Sequence, residues 1–271
     1  MTNSLAQGIV VLGTGRLGSA LAQRIFEVQL PLRAVYNRHL HKAQVLATTL
    51  GIPATDRVSA LPTDAFLYLL ALSDDAIGPF AQCLSQHLPA DALVAHTSGA
   101  TPLAVLQPHF SRCAIFYPLQ SFAPGRSPDW THIPICLSAN APQWTRQLWP
   151  IAQRVGGAVY ELDDAQRGQL HLAAVFANNF TNFCYHIASQ LLKMQHLPFD
   201  ILLPLIRETV ERLHTAPPQA LQTGPAVRND RATIARHLSA LQHHPDYQQL
   251  YRLMTELIGR YLGSTFNESQ S

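Results

Sequence analysis

Ile9-Val10-Val11-Leu12-Gly13-Thr14-Gly15-Arg16-Leu17-Gly18 is the stretch whose reading decides the fold. Four apolar residues run into a Gly-x-Gly-x-x-Gly turn, and Ser19 to Phe26 follow with the pattern of an amphipathic helix. In such a unit Gly13 permits the tight turn, Gly15 leaves no side chain between the backbone and a pyrophosphate, and Gly18 lets helix and strand pack closely. The N–H groups at the helix start then face the phosphates. Glycines at this spacing also occur in ordinary tight turns. Here an apolar run precedes them, a helix follows, and a second apolar run, Leu32 to Tyr36, comes at βαβ distance. That context predicts dinucleotide binding, with Gly13, Thr14, Gly15, Arg16, Leu17 and Gly18 around the phosphates.

The end of the second strand selects the dinucleotide. An NAD site places Asp or Glu there to accept the ribose hydroxyls. This chain has Asn37-Arg38, with His39, His41 and Lys42 just beyond. A carboxylate would repel a 2′-phosphate, whereas the Arg38 guanidinium can pair with one as a fork. The expected cofactor is NADP, bound through Asn37 and Arg38; the alternative is that Arg38 is a solvated surface charge and discrimination is poor.

With 271 residues the chain is long enough for two domains. A formal charge of +2 gives no argument for nucleic acid or an acidic membrane surface. There is no long uncharged apolar stretch and no leader pattern at the N-terminus, so the expected location is cytoplasmic. Cys83, Cys113, Cys136 and Cys184 show no C-x-x-C spacing and read as small buried hydrophobes in a reducing compartment. Among thirteen histidines the close pairs are His39-x-His41 and His243-His244, neither with the spacing of a helical metal site, so no metal is expected.

The first half alternates strand and helix. Apolar runs at Ala65–Leu72, Leu93–Ala95, Ala114–Tyr117, Ile133–Leu137 and Ala158–Tyr160 predict strands, with helices over 41–50, 76–88 and 143–155. From Asp164 the pattern is helix only: 165–193 without proline, then 200–213, 232–241 and 247–262. The expected architecture is α/β, a doubly wound and mostly parallel Rossmann sheet over 1–163, followed by an all-helical domain over 164–271.

Three groups of residues carry candidate chemistry. On the long helix His171, Val175, Asn178 and Asn182 recur at steps of four, three and four, a polar stripe on an otherwise apolar helix. Buried imidazoles and amides cost free energy unless satisfied, so a polar cleft between domains or a hydrogen-bonded interface must receive them. The second group is Thr223 to Asp230, where Arg228 suits a carboxylate or phosphate and Asp230 suits the N-cap of the next helix. The third follows strands: Ser73, His96, Thr97, Ser98 and Tyr117 to Phe122. Ser73 and Ser98 are the candidates there for cofactor contacts.

Gly13-x-Gly15-x-x-Gly18, Asn37-Arg38, Leu72-Ser-Asp-Asp75, His96-Thr-Ser-Gly99, Tyr117-Pro-Leu-Gln-Ser-Phe122, His171 to Asn179 and Thr223-Gly-Pro-x-x-Arg-x-Asp230 come in that order. Together they resemble the bacterial Rossmann-like proteins with a C-terminal helical domain of unknown function, which are named provisionally as NADP-dependent oxidoreductases and sometimes likened to deazaflavin-dependent NADP reductases. The resemblance covers nearly the whole chain. It implies an active site between the domains and a helical domain that often forms a homodimer. More distantly the layout is similar to β-hydroxyacid dehydrogenases, ketopantoate reductase and pyrroline-carboxylate reductase. Hydroxyacid dehydrogenases carry a lysine three residues before the paired asparagine; here the pair is Asn178-Asn179 and that position is Val175. The family's usual histidine before Pro118 is Tyr117, and its glycine before the final aspartate is Asn229, which tolerates a left-handed backbone.

These readings predict an NADP-dependent oxidoreductase for a small carbonyl or imine. His171 would be the acid in place of the missing lysine, Asn178 would orient the substrate and Arg228 would bind a substrate carboxylate. The alternative is a protein that binds NADP(H) as a sensor or scaffold without turnover, which the absent lysine favours. Reduction of NADP by a deazaflavin is a third option.

Overall fold

Strand β1 (Ile9–Leu12) is buried along its whole length, and its side chains serve two separate cores. Ile9 and Val11 join one apolar cluster, and Val10 and Leu12 join the other. A strand covered on both faces needs a continuous apolar run rather than alternation. The same holds for β4 (Leu67–Leu70) and β5 (Leu93–His96). The protein is described here by a computed structural model over residues 6–123 and 128–262.

The chain continues through α1 (Arg16–Glu27), β2 (Leu32–Tyr36), α2 (Leu40–Leu50) and the short β3 (Ala54–Thr55). After β4 come α3 (Asp74–Leu84) and β5, then β6 (Arg112–Pro118), β7 (Ile135–Ala139), α4 (Pro142–Val155) and β8 (Val159–Glu161). The sheet order is β3-β2-β1-β4-β5-β6-β7-β8. All pairings are parallel except β6 with β7, where Tyr117 opposes Cys136. The first six strands thus follow the doubly wound order 3-2-1-4-5-6, whose direction reverses between β1 and β4. Ligands in open α/β sheets bind outside the carboxyl ends of the strands at such a reversal. The turn after β1 and the loop after β4 both end there.

Helix α5 (Asp164–Ala174) begins with a reciprocal cap: Asp163 accepts from the Gln166 N–H at 2.7 Å, and Gln166 Oε1 accepts from the Asp163 N–H at 3.0 Å. A π-helical turn (Val175–Phe180) follows, then α6 (Thr181–Met194). Beyond a 3-10 turn at Phe199–Leu202 lie α7 (Leu203–Arg212), α8 (Pro218–Leu221), α9 (Arg231–Ala240) and α10 (Pro245–Leu262). Asp230 caps α9, accepting from the Thr233 N–H at 3.0 Å, and Asn229 before it is left-handed at φ 52°.

The chain forms two compact units, 1–179 and 180–271. The last strand ends at Glu161 and α5 starts at Asp164, yet α5 stays with the sheet for a physical reason. Asp164 accepts from the Leu103 N–H, and Arg167 donates to the Thr101 carbonyl at 2.6 Å. In the second unit, among the described residues, Leu241 alone is buried.

Candidate functional site

The turn after β1 is held open by what its glycines lack. A Cβ on Gly13, whose φ is 104°, would collide with the Ala71 carbonyl; one on Gly18 would collide with the Gly13 carbonyl. A Cβ on Gly15 would meet nothing within 4 Å. Two glycines therefore serve packing and the third faces open space. Gly15 is also the N-cap of α1, with no side-chain cap and no acidic residue in the first turn. Uncapped N–H groups beneath an open space form a cradle for anionic oxygens. Thr14 is tied down around it: Ser19 Oγ donates to its carbonyl at 3.1 Å, and Asn37 Nδ2 to its Oγ1 at 2.8 Å. Arg16 is exposed, and Leu17 packs against the core.

A cavity of about 480 Å³ extends from this cradle. Gly13, Gly15, Asn37, Arg38 and Ser73 line it, with Tyr36 and Phe80 as an aromatic wall whose ring centroids are 5.1 Å apart. A cavity lined by the glycine turn at an uncapped helix start, a guanidinium and aromatic rings suits a phosphorylated dinucleotide. The strand-end reading places Ser73 on this cavity. Ser98 lies elsewhere, in the turn after β5, where its hydroxyl accepts from the N–H groups of Ala100 and Thr101 at 3.1 and 2.9 Å. A serine following a strand is readable from sequence; whether it reaches a ligand or its own turn is not.

A second cavity of about 350 Å³ opens between the end of β6 and the long helix. It is lined by Tyr117, Gln120 and Ser121 on one side and by His171, Val175, Asn178 and Asn179 on the other. Tyr117 Oη and His171 Nδ1 are 3.1 Å apart, with the rings edge to face at 66°. Tyr117 is 8% exposed, and burial pushes its phenol up to about 12, opposed by the charge of Arg167. His171 and Asn178, both expected at the site, thus share one cavity. Arg228 belongs to the second unit, exposed on the turn before α9.

Two features here lie beyond what helical periodicity predicts. A π turn takes about one residue more than an α turn, so it rotates everything after it relative to an unbroken helix. Both Asn178 and Asn179 line the cavity as a result, and Asn182 is not on its wall. The other is the pairing of Tyr117, a strand-end candidate, with His171: it spans 54 residues of sequence, and only the fold can bring them together.

Behind the cavity lies a buried polar layer. Arg167, 1% exposed, donates to Asp164 at 2.6 Å and to the Thr101 carbonyl at 2.6 Å. His96 is fully buried, accepting from the Ser98 N–H at 3.2 Å, while its Nε2 has no well-formed partner. Burial first, and Arg167 second, push the His96 imidazole down to about 4, although the backbone at Pro102 favours its charged form. Burial raises the thiols of Cys113 and Cys136 to about 11, the inert state of a core cysteine. Among the described residues, no three His, Cys, Asp or Glu side chains gather as a metal site, and no helix is long and apolar enough to cross a membrane.

Residues 2–120 match a Rossmann-like domain, and residues 133–258 match a domain of unknown function, DUF2520. No curated protein matches the chain. Among solved structures, a Bacteroides fragilis protein provisionally named an NADP oxidoreductase is 36% identical, with a TM-score of 0.88 over 93% of this chain and 97% of its own. A Thermotoga maritima protein is 19% identical, with a TM-score of 0.69 over 96% and 99%. The reductive aminase of Aspergillus terreus, solved with NADPH and ethyl-5-oxohexanoate, is 16% identical, with a TM-score of 0.67 over 94% and 95%. The likeness to the last two is one of fold. At 36% identity along nearly the whole length of both chains, the first relative shows more: this chain belongs to the family that joins a Rossmann-like domain to the DUF2520 domain.

Proposed function

We propose that the protein is an NADP-dependent oxidoreductase acting on a small carbonyl or imine. The observation that carries this reading is the uncapped helix start beneath the open space at Gly15, continuous with a cavity that Arg38 lines. The Arg38 guanidinium receives the 2′-phosphate, and Asn37 steadies the phosphate turn through Thr14. The nicotinamide, when bound, supplies or accepts the hydride. The chain's own residues do the remainder: Asn178 orients the polar atom of the substrate by hydrogen bonding, and His171 gives that atom its proton. Relatives in fold bear NADP(H) names or ligands, which is consistent with this assignment.

Purified protein should quench and shift NADPH fluorescence on binding, and bind NADH more weakly. It should then oxidise NADPH in the presence of at least one of a panel of aldehydes, keto acids and cyclic imines. Binding without oxidation of NADPH by any candidate, unaltered in His171→Ala, would favour a sensor or scaffold instead. One observation speaks for that second reading: Val175 stands on the cavity wall where hydroxyacid dehydrogenases have lysine.

The same reading includes a homodimer through the helical unit. Ile201, Leu205, Val210, Leu213, Leu253 and Tyr261 are each more than half exposed, and a unit with so little buried surface lacks the apolar burial that offsets chain ordering. A second copy of this chain would cover them. Sedimentation should give a dimer at micromolar concentration and a monomer for Leu205→Glu; a wild-type monomer would remove this element.

A further inference from the structure

The phenol behind His171 has no part in the reaction as set out above, yet its surroundings fix what it can do. Tyr117 is nearly buried, and its Oη has the His171 Nδ1 at 3.1 Å as its hydrogen-bond partner. Among the described residues the His171 Nδ1 is the one acceptor within hydrogen-bonding reach of the phenolic hydrogen. With the phenol donating, both groups are satisfied, and the imidazole keeps its proton on Nε2. Gly99 backs the pair: a Cβ there would lie 2.6 Å from His171 Nδ1 and 2.9 Å from Tyr117 Oη, so main chain already fills the space behind both rings.

We propose that Tyr117 and His171 form a proton relay, the phenol supplying His171 Nδ1 while His171 Nε2–H serves the substrate atom in the cavity. The relay rests on the oxidoreductase reading and deepens it, because it requires a substrate whose reduced atom gains a proton, a C=O oxygen or C=N nitrogen. In the reducing direction, hydride from the reduced nicotinamide forms the new C–H bond. The π electrons move onto oxygen or nitrogen, and the His171 Nε2–H bond breaks to protonate that atom. The Tyr117 O–H bond breaks as its proton moves to Nδ1, so the imidazole ends neutral and the phenol ends as phenolate, recharged later from water. An alkoxide or amide anion is a stronger base than a phenolate, so the transfer runs downhill.

Burial is the main influence against the phenolate at Tyr117, and the groups around it act in both directions. Arg167, buried and held between Asp164 and the Thr101 carbonyl, favours the phenolate, whereas Cys136 across the β6–β7 pairing and Asp74 disfavour it. A guanidinium always charged and pinned by two 2.6 Å hydrogen bonds gives a fixed field that needs no rearrangement during the step.

The direction of the hydrogen bond can be tested without cofactor or substrate. In full-length protein labelled with ¹⁵N-histidine, long-range ¹H–¹⁵N correlation spectra report each tautomer, and His171→Gln identifies the His171 signals by their loss. The expected result is an Nε2–H tautomer in the wild type that becomes a mixture in Tyr117→Phe. An Nδ1–H tautomer, or a pattern unchanged by Tyr117→Phe, overturns the relay. With any substrate that the wild type turns over, Tyr117→Phe should lower kcat about tenfold to a hundredfold and leave KM within about twofold. An unchanged kcat also overturns it. Absence of turnover by the wild type overturns the oxidoreductase reading itself, which the tautomer experiment distinguishes from failure of the relay alone.

Discussion

Asn37 Nδ2 donates to Thr14 Oγ1 at 2.8 Å, bridging the ends of two neighbouring strands, β1 and β2, beside the first cavity. The same amide's oxygen accepts from the His39 N–H at 3.0 Å, so one side chain sets both the glycine turn and the path of the chain past Arg38. Replacing Arg38 by Ala should weaken NADPH binding by about 1.5–3 kcal/mol, the worth of hydrogen bonds to a charged group, and leave NADH binding nearly unchanged. Titration of both coenzymes by fluorescence would show it. Equal losses for the two would mean that Arg38 does not read the 2′-phosphate.

The glycines of the turn should separate cleanly on mutation. Gly15 sits at φ −73°, a conformation open to any residue, with open space where its Cβ would be. Gly15→Val should therefore unfold within a degree or two of the wild type while abolishing NADPH binding. Gly18→Ala forces its methyl into the Gly13 carbonyl and should cost about 1–3 kcal/mol of stability, read from urea denaturation.

Arg167 holds the loop after β5 to the helix that carries His171. Arg167→Met leaves the Thr101 carbonyl without its donor and Asp164 without its cation. Loss of one partner from a buried ion pair costs about 3–5 kcal/mol, and the half-exposed Asp164 carboxylate moderates this to about 2–4 kcal/mol. Arg167→Lys should recover little, since a single ammonium cannot span both acceptors as the guanidinium fork does. Urea midpoints for the two variants provide the check.

His96 makes stability fall in acid. Its folded pKa is about 4, below the unfolded value near 6.5, so between these limits the unfolded chain binds the extra proton. Stability is fully present above the unfolded pKa. As pH falls from about 6.5 to about 4, the contribution of this residue declines by roughly 3 kcal/mol. His96→Gln should flatten that part of the profile relative to the wild type, measured by urea denaturation at pH 7 and 4.5. Parallel losses in both proteins would place the proton elsewhere.

Much of the sheet is legible from sequence because parallel strands covered on both faces are uninterrupted apolar runs. β1 and β2 begin and end at the residues their runs predict, and Asp230 caps its helix as its position implies. The long helix is legible as helix but its π turn is not, because apolar spacing does not register one surplus residue per turn. Hence Asn178 was foreseeable on the cavity and Asn179 was not. Tyr117 reads from sequence as a departure from a family histidine, which lowers its standing. Its role is set by proximity to a residue more than fifty positions away. Arg167 is hidden for a similar reason, since a charge in an amphipathic helix defaults to the solvent face.

Gly99 leaves the two rings of the second cavity pressed against bare main chain. Neither ring can retreat to admit a bulkier guest, so any molecule that fits must be shaped to a wall that does not yield. Discrimination among candidates would then follow from outline as much as from polarity. Opening this cavity to larger ligands would have to begin on the facing helix rather than here.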